Sequence, residues 1–147
     1  MRIYLDACCL SRLTDDQSQQ RIREEASAIE QIFEQIQLGA CRWISSEALQ
    51  LEVSRNPSTE RRLEAEGLLA SASETIAIGI TELARAKFLE RVGYGAYDAV
   101  HLAAAEAGHA DVLLSTDDKF LRQAARRTGS PRVPVQNPLS WIQEHSP

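Results

Sequence analysis

Along the chain, short apolar runs alternate with longer stretches in which apolar residues recur every three or four positions. Residues 2–6, "RIYLD", read as a strand. From about Gln20 to Leu38, the residues Ile22, Ala26, Ile29, Phe33 and Ile36 line one face of a helix, and Gly39 is a natural stop. Cys41–Ile44 is a second strand candidate. Ser45 or Ser46 then caps a helix running to about Arg55, which "NPS" ends. Residues 58–71 are helical again, and Thr75–Ile78 is a β-branched strand candidate. Thr81 caps a helix through Arg91, closed by Gly93. "AYDAVHLAAAEAG" is strongly helical, with a start signal at Tyr97–Asp98 and a stop at Gly108. "DVLLS", residues 111–115, is a strand, followed by a helix from about Asp118 to Arg127. "VPV" reads as a last strand, confined to an edge by Pro134, and "PLSWIQEH" as a terminal helical turn.

Strands alternating with helices imply right-handed crossovers and a parallel sheet covered by helices on both faces. In such folds ligands bind outside the carboxyl ends of the strands. Asp6 falls at the end of the first strand, and "DVLLSTDD" finishes in Ser115, Thr116, Asp117 and Asp118. Asp98 stands at the start of the "YDAVHL" helix, and Glu52 lies among apolar neighbours in "ALQLEV". Each has a plain structural reading. Asp98 can be an N-cap, Asp117 and Asp118 turn residues, and Glu52 a solvated helix acid. Together they have a further one. Carboxylates converging on one edge repel each other, burial worsens it, and a divalent cation relieves it. Hard oxygen donors suit Mg2+ or Mn2+. There is no Walker A loop, so the pattern points to metal-assisted hydrolysis of a phosphate ester.

Composition narrows the field. The chain has 147 residues with 44% hydrophobic, the size and content of a single domain spanning 1–147. A formal charge of −5 argues against a protein held on nucleic acid by bulk charge alone. Apolar runs fall far short of the ~20 residues of a membrane span. With no leader visible, the expectation is a cytoplasmic protein that does not bind a membrane. Three cysteines fit no zinc spacing, and they read as buried packing in a reducing compartment, with Cys8 and Cys9 on opposite faces of a strand. Trp43 and Trp141 read as core.

The stretches "IYLDACCLSRL", "ISSEALQLEV", "YGAYDAVHLAAAEAGHADVLLSTDDKFL" and "NPLSWI" resemble the PIN-domain ribonucleases, particularly the VapC-type toxins of prokaryotic toxin–antitoxin pairs. The resemblance covers nearly the whole chain. It implies a three-layer α/β/α sandwich with a central parallel sheet. It also implies an endoribonuclease that uses water activated by Mg2+ or Mn2+ and leaves 5′-phosphate and 3′-hydroxyl ends. Carried over residue by residue, Asp6, Glu52, Asp98 and Asp117 are the acids that hold the metal. Ser115 supports them, and Asp118 assists or replaces Asp117. Glu47 is a rival to Glu52, which is preferred for its interval from Ser46 and for the Val53 that follows. The implied partners are an RNA substrate, a cognate antitoxin and a second copy of the chain.

Lys119, Arg122 and Arg126 recur at helical spacing and can meet RNA phosphates, as can Arg12; a solvated basic face is the alternative. His101 follows Asp98 by one turn, as a core histidine or as half of a D-x-x-H pair. Two rival functions stand beside the toxin: an RNA-processing nuclease without an antitoxin, and a PIN fold that binds RNA without cleaving it. A haloacid-dehalogenase-like phosphatase is excluded because Asp6 is followed by Ala7 and Cys8 where an Asp-x-Asp is needed.

Overall fold

The computed structural model describes residues 1–145. Its centre is a five-stranded sheet in the order β3-β2-β1-β4-β5, with every neighbouring pair parallel. The strands are β1 (Arg2–Leu5), β2 (Arg42–Ser46), β3 (Glu74–Ile76), β4 (Val112–Leu114) and β5 (Val135–Gln136). The helices are α1 (Ala7–Arg12), α2 (Gln20–Gln37), α3 (Glu47–Ser54), α4 (Thr59–Leu69), α5 (Ile80–Arg91), α6 (Ala96–Ala107), α7 (Asp118–Ala125) and α8 (Pro138–His145).

The alternation of side chains along each strand builds two cores. Ile3, Leu5, Trp43, Val112 and Leu114 point to one face and pack against α1, α2, α3 and α8. Tyr4, Ile44 and Leu113 point to the other and meet α5, α6 and α7. A strand buried on both faces has no reason to alternate polar with apolar, which is why these runs are continuously hydrophobic. The result is the expected three-layer α/β/α sandwich. The apolar face of α2 is spent inside the chain, with Ala26, Ile29 and Ile32 buried.

Several boundaries differ from the sequence expectation. Asp6 does not continue the strand. It caps α1, accepting the Cys9 backbone N–H at 3.2 Å, so Cys8 and Cys9 lie on a helix and not on opposite faces of a strand. Six residues, "ACCLSR", carry too little apolar periodicity to announce a helix. Asp98 sits inside the first turn of α6, whose N-cap is Gly95. The third strand is Glu74–Ile76, shifted from Thr75–Ile78, and the edge strand follows Pro134 instead of containing it.

Where α6 ends, Gly108 lies against the sheet. A Cβ there would stand 2.9 Å from Ile76 Cδ1 and 3.1 Å from Ile44 Cγ2, closer than carbon atoms pack. Gly108→Ala therefore lifts the end of α6 off β2 and β3. The expected cost is about 1–3 kcal/mol in urea unfolding. An unchanged unfolding midpoint would mean that α6 does not approach the sheet this closely.

Candidate active site

Read from β1, the chain proceeds outward through β2 and β3, then crosses back to place β4 and β5 on the other side of β1. The strand order thus reverses between β1 and β4. The carboxyl ends of these two strands flank the crevice where parallel α/β sheets bind ligands. Asp6 leaves β1 there, and Ser115, Thr116 and Asp117 leave β4 there.

Two helix starts hold the first and last of these acids. Asp6 is almost wholly buried and caps α1 through Oδ1. Asp117 is exposed and caps α7 through Oδ1, accepting the backbone N–H groups of Lys119 at 2.9 Å and Phe120 at 3.2 Å. Because each cap uses Oδ1, the second oxygen of each carboxylate lies outside the cap. Ser115 Oγ accepts the Asp117 N–H at 3.1 Å, which fixes the turn between β4 and α7. Asp98 enters from α6. Burial pushes its carboxyl up to about 7, and the charges of Asp117, Asp6 and Glu52 push in the same direction. Asp6 is likewise held above the usual carboxylate range, chiefly by burial.

Glu52 is half-buried on α3, and its Oε1 lies 2.6 Å from His101 Nε2. His101 is buried, and its Nδ1 lies 2.7 Å from the Tyr4 hydroxyl. Glu47 is engaged elsewhere, its Oε1 accepting the Ile78 N–H at 2.7 Å. Asp118 turns away from the crevice into a two-pronged pair with Arg21 at 2.8 and 2.9 Å, which holds its carboxyl below the usual range. Arg12 donates to Glu25 and to Asp15, each at 2.8 Å. Lys119, Arg122 and Arg126 are exposed on and just beyond α7. They set positive charge along α7 from the Asp117 cap to its far end, so for an RNA substrate the expectation is a contribution from phosphate contacts. The double variant Arg122→Ala, Arg126→Ala should flatten the salt dependence by about two phosphate contacts. An unchanged slope would make these arginines a solvated face only.

Three features were not visible in the sequence. Cys8 is no packing residue: its Sγ donates to Asp6 Oδ1 at 2.9 Å and lies 3.5 Å from Ser115 Oγ. Tyr97 stacks on His101, with centroids 6.2 Å apart, and its hydroxyl accepts from Arg55 at 3.0 Å. Tyr97, Arg55, Glu52, Ser11 and Arg61 line a cleft running from Glu52 toward α4. The signal for Tyr97 was its place directly before Asp98.

The donor set is hard oxygen, and the crowding felt by Asp98 is what a small divalent cation would offset, so these residues fit Mg2+ or Mn2+ chemically. As the side chains stand, no three His, Cys, Asp or Glu among the described residues are gathered closely enough to hold a metal ion. No helix among them is long and apolar enough to cross a membrane.

A search of curated proteins finds no match. Among solved structures, the chain is similar to VapBC2 from Rickettsia felis, solved bound to a DNA fragment from its promoter. The TM-score is 0.62 at 17% identity, over 93% of this chain and 98% of that one. It is also similar to FitAcB from Neisseria gonorrhoeae, with TM-score 0.57 at 14% identity over 92% and 97%. At such identities the likeness is one of fold. The PIN domain profile matches residues 3–126. With that match over most of its length, the chain belongs to the PIN-domain family.

Proposed function

We propose that this chain is a Mg2+- or Mn2+-dependent endoribonuclease and the toxin of a toxin–antitoxin pair. PIN domains are generally nucleases. The observation that carries the reading is where the acids stand: Asp6 and Asp117 follow the carboxyl ends of the adjacent strands β1 and β4, and Asp98 comes from the first turn of α6, its carboxyl pushed up to about 7 by burial and by the charges of Asp117, Asp6 and Glu52. A fold that keeps three such neighbours around a partly buried acid does so at a cost in stability, as expected of a metal site and not of a structural cap.

Asp6, Asp98 and Asp117 would hold the cation, with Glu52 completing the set. A cation bound there supplies Lewis-acid stabilisation of the phosphodiester and a more acidic water. The protein's own part is to place the acids. The α1 and α7 caps fix Asp6 and Asp117, and the first turn of α6 brings in Asp98. Lys119, Arg122 and Arg126 offer charge to the strand's phosphates, with Arg12 and Ser115 in supporting places. Asp118, tied to Arg21, acts on the site only if that pair opens. The cleft bearing Tyr97 and Arg55 gives an RNA base an aromatic face beside Glu52.

The likeness to VapBC2 and FitAcB supports an antitoxin as the protein partner. A homodimer has an apolar surface to use in α5 and the residue after it, where Ile80, Leu83, Phe88 and Val92 are exposed. The toxin role is tested in cells. Expression should arrest growth, Asp6→Asn should abolish the arrest, and co-expression of a small DNA-binding protein encoded beside this gene should rescue it. Robust RNA cleavage without arrest would make the chain a processing nuclease. Neither arrest nor cleavage would make it a binding protein.

A further inference from the structure

A chain of hydrogen bonds runs behind the acids through three elements and returns to the helix it began on. The Leu49 backbone N–H donates to Ser46 Oγ at 3.0 Å, capping α3. Ser46 Oγ lies 2.7 Å from the Tyr4 hydroxyl on β1, which lies 2.7 Å from His101 Nδ1 on α6. His101 Nε2 lies 2.6 Å from Glu52 Oε1, back on α3. Ser46 and Tyr4 are fully buried and His101 is 1% exposed, so water does not complete any of these bonds.

Only one direction satisfies every buried donor. Facing an ionised glutamate, Nε2 must carry a proton. If the imidazole is neutral, Nδ1 is then an acceptor and the Tyr4 O–H donates to it. The Tyr4 oxygen in turn accepts from the Ser46 O–H, and Ser46 Oγ accepts from Leu49 N–H. Reversing the chain would put an unprotonated Nε2 against a carboxylate. A charged imidazole would turn Tyr4 toward Ser46 and leave the Ser46 O–H with no acceptor in a dry core, which is costly.

We propose that His101 is a positioning residue: held in its neutral Nε2–H tautomer by Tyr4 and Ser46, it fixes Glu52 by Oε1 beside Asp98. This rests on the reading of Glu52 as part of the metal site. A carboxylate on a helix surface otherwise samples several rotamers. Anchoring one oxygen removes that freedom before the cation arrives and leaves a single Glu52 oxygen for it. Such outer partners typically set metal affinity by 10–100-fold. Tyr97, stacked on the outer side of the ring, restrains His101 from the crevice side.

The test is Mn2+ affinity by calorimetry, beside 15N NMR of the histidine side chains and melting temperature. Wild type should show a neutral, Nε2-protonated His101. His101→Ala should weaken Mn2+ binding about 10–100-fold, and His101→Gln, whose amide can still donate to Glu52, should recover most of it. Tyr4→Phe, which removes only the donor to Nδ1, should weaken binding less than His101→Ala and change the NMR signature; it also serves if His101→Ala does not fold. An Nδ1-protonated wild-type ring, or unchanged Mn2+ affinity in His101→Ala or in Tyr4→Phe, would overturn the positioning role alone. So would losses in Gln and Ala variants that simply track melting temperature. Wild-type protein that binds no Mn2+ would overturn the metal-site reading, and the positioning role with it.

Discussion

Asp98→Asn protein should cleave RNA at least about a hundredfold more slowly than wild type in Mg2+ or Mn2+, and in the absence of metal it should be the more stable of the two at pH 8. The first effect follows from weakening the site that would hold the cation, and with it the electrostatic stabilisation the cation supplies, a loss of about 10²–10³ in rate. The second follows from linkage. The Asp98 carboxyl titrates near 7 in the folded protein, against an unfolded value near 4. Between those values the folded state holds a proton that the unfolded state has released. The group's contribution therefore favours folding most below pH 4 and is lost as pH rises through 7. Asparagine never ionises and escapes the loss. Screening at a partly exposed site reduces the gain to about 1–2 kcal/mol. The gap in melting temperature between variant and wild type should be widest at pH 8, narrow through pH 5 and close near pH 4. With millimolar Mn2+ the order should reverse, because only the wild type binds the ion tightly. A variant that cleaves at the wild-type rate would remove Asp98 from the site.

Glu25→Ala should lose about 3 kcal/mol of stability, the largest expected effect of any single change away from the crevice. Glu25 is buried on α2, and its carboxylate accepts from Arg12 at 2.8 Å, Arg21 at 3.2 Å and Asn137 at 2.6 Å. It thereby joins α1, α2 and the turn leading into α8. Without it, Arg12 keeps only Asp15, and a partly buried guanidinium and amide are left short of acceptors. The companion change Arg21→Ala removes a half-exposed partner and the tie to Asp118, and should cost under about 1 kcal/mol. The contrast is the check. Equal and small losses in urea unfolding would mean that Glu25 is solvated and the network is ornamental. If Arg21→Ala instead raises metal affinity, Asp118 is free to join the acids once released.

What the sequence showed and hid divides along a physical line. Strands buried on both faces must be apolar throughout, so β1, β2 and β4 stood out. The acids at their ends stood out because a charge after such a run has few places to go. The three-layer order followed from alternation alone. Hidden features were those made by short or long-range geometry. α1 is a single capped turn and a half, visible only once Asp6 is seen accepting the Cys9 N–H. Cys8 looked like packing because its neighbourhood with Ser115 depends on β1 and β4 being adjacent. Glu25 sits in a polar run, "RIREEAS", and nothing local marks it as the buried one of two adjacent glutamates. His101 follows Asp98 by one turn of sequence, yet its partners are Tyr4 and Glu52, from β1 and α3. Charge and place in the chain single out Arg12 and Asp118, but in the fold each is held in an ion pair, so neither is free in the way an isolated side chain is.

The most direct test of the central claim is cleavage of total RNA by the purified chain, with the new ends mapped. In Mg2+ or Mn2+ the protein should produce discrete internal cuts bearing 5′-phosphate and 3′-hydroxyl ends. EDTA or Asp98→Asn should suppress them. Cuts that persist in EDTA, or that the Asp98→Asn protein makes at the wild-type rate, would contradict a nuclease built on these carboxylates.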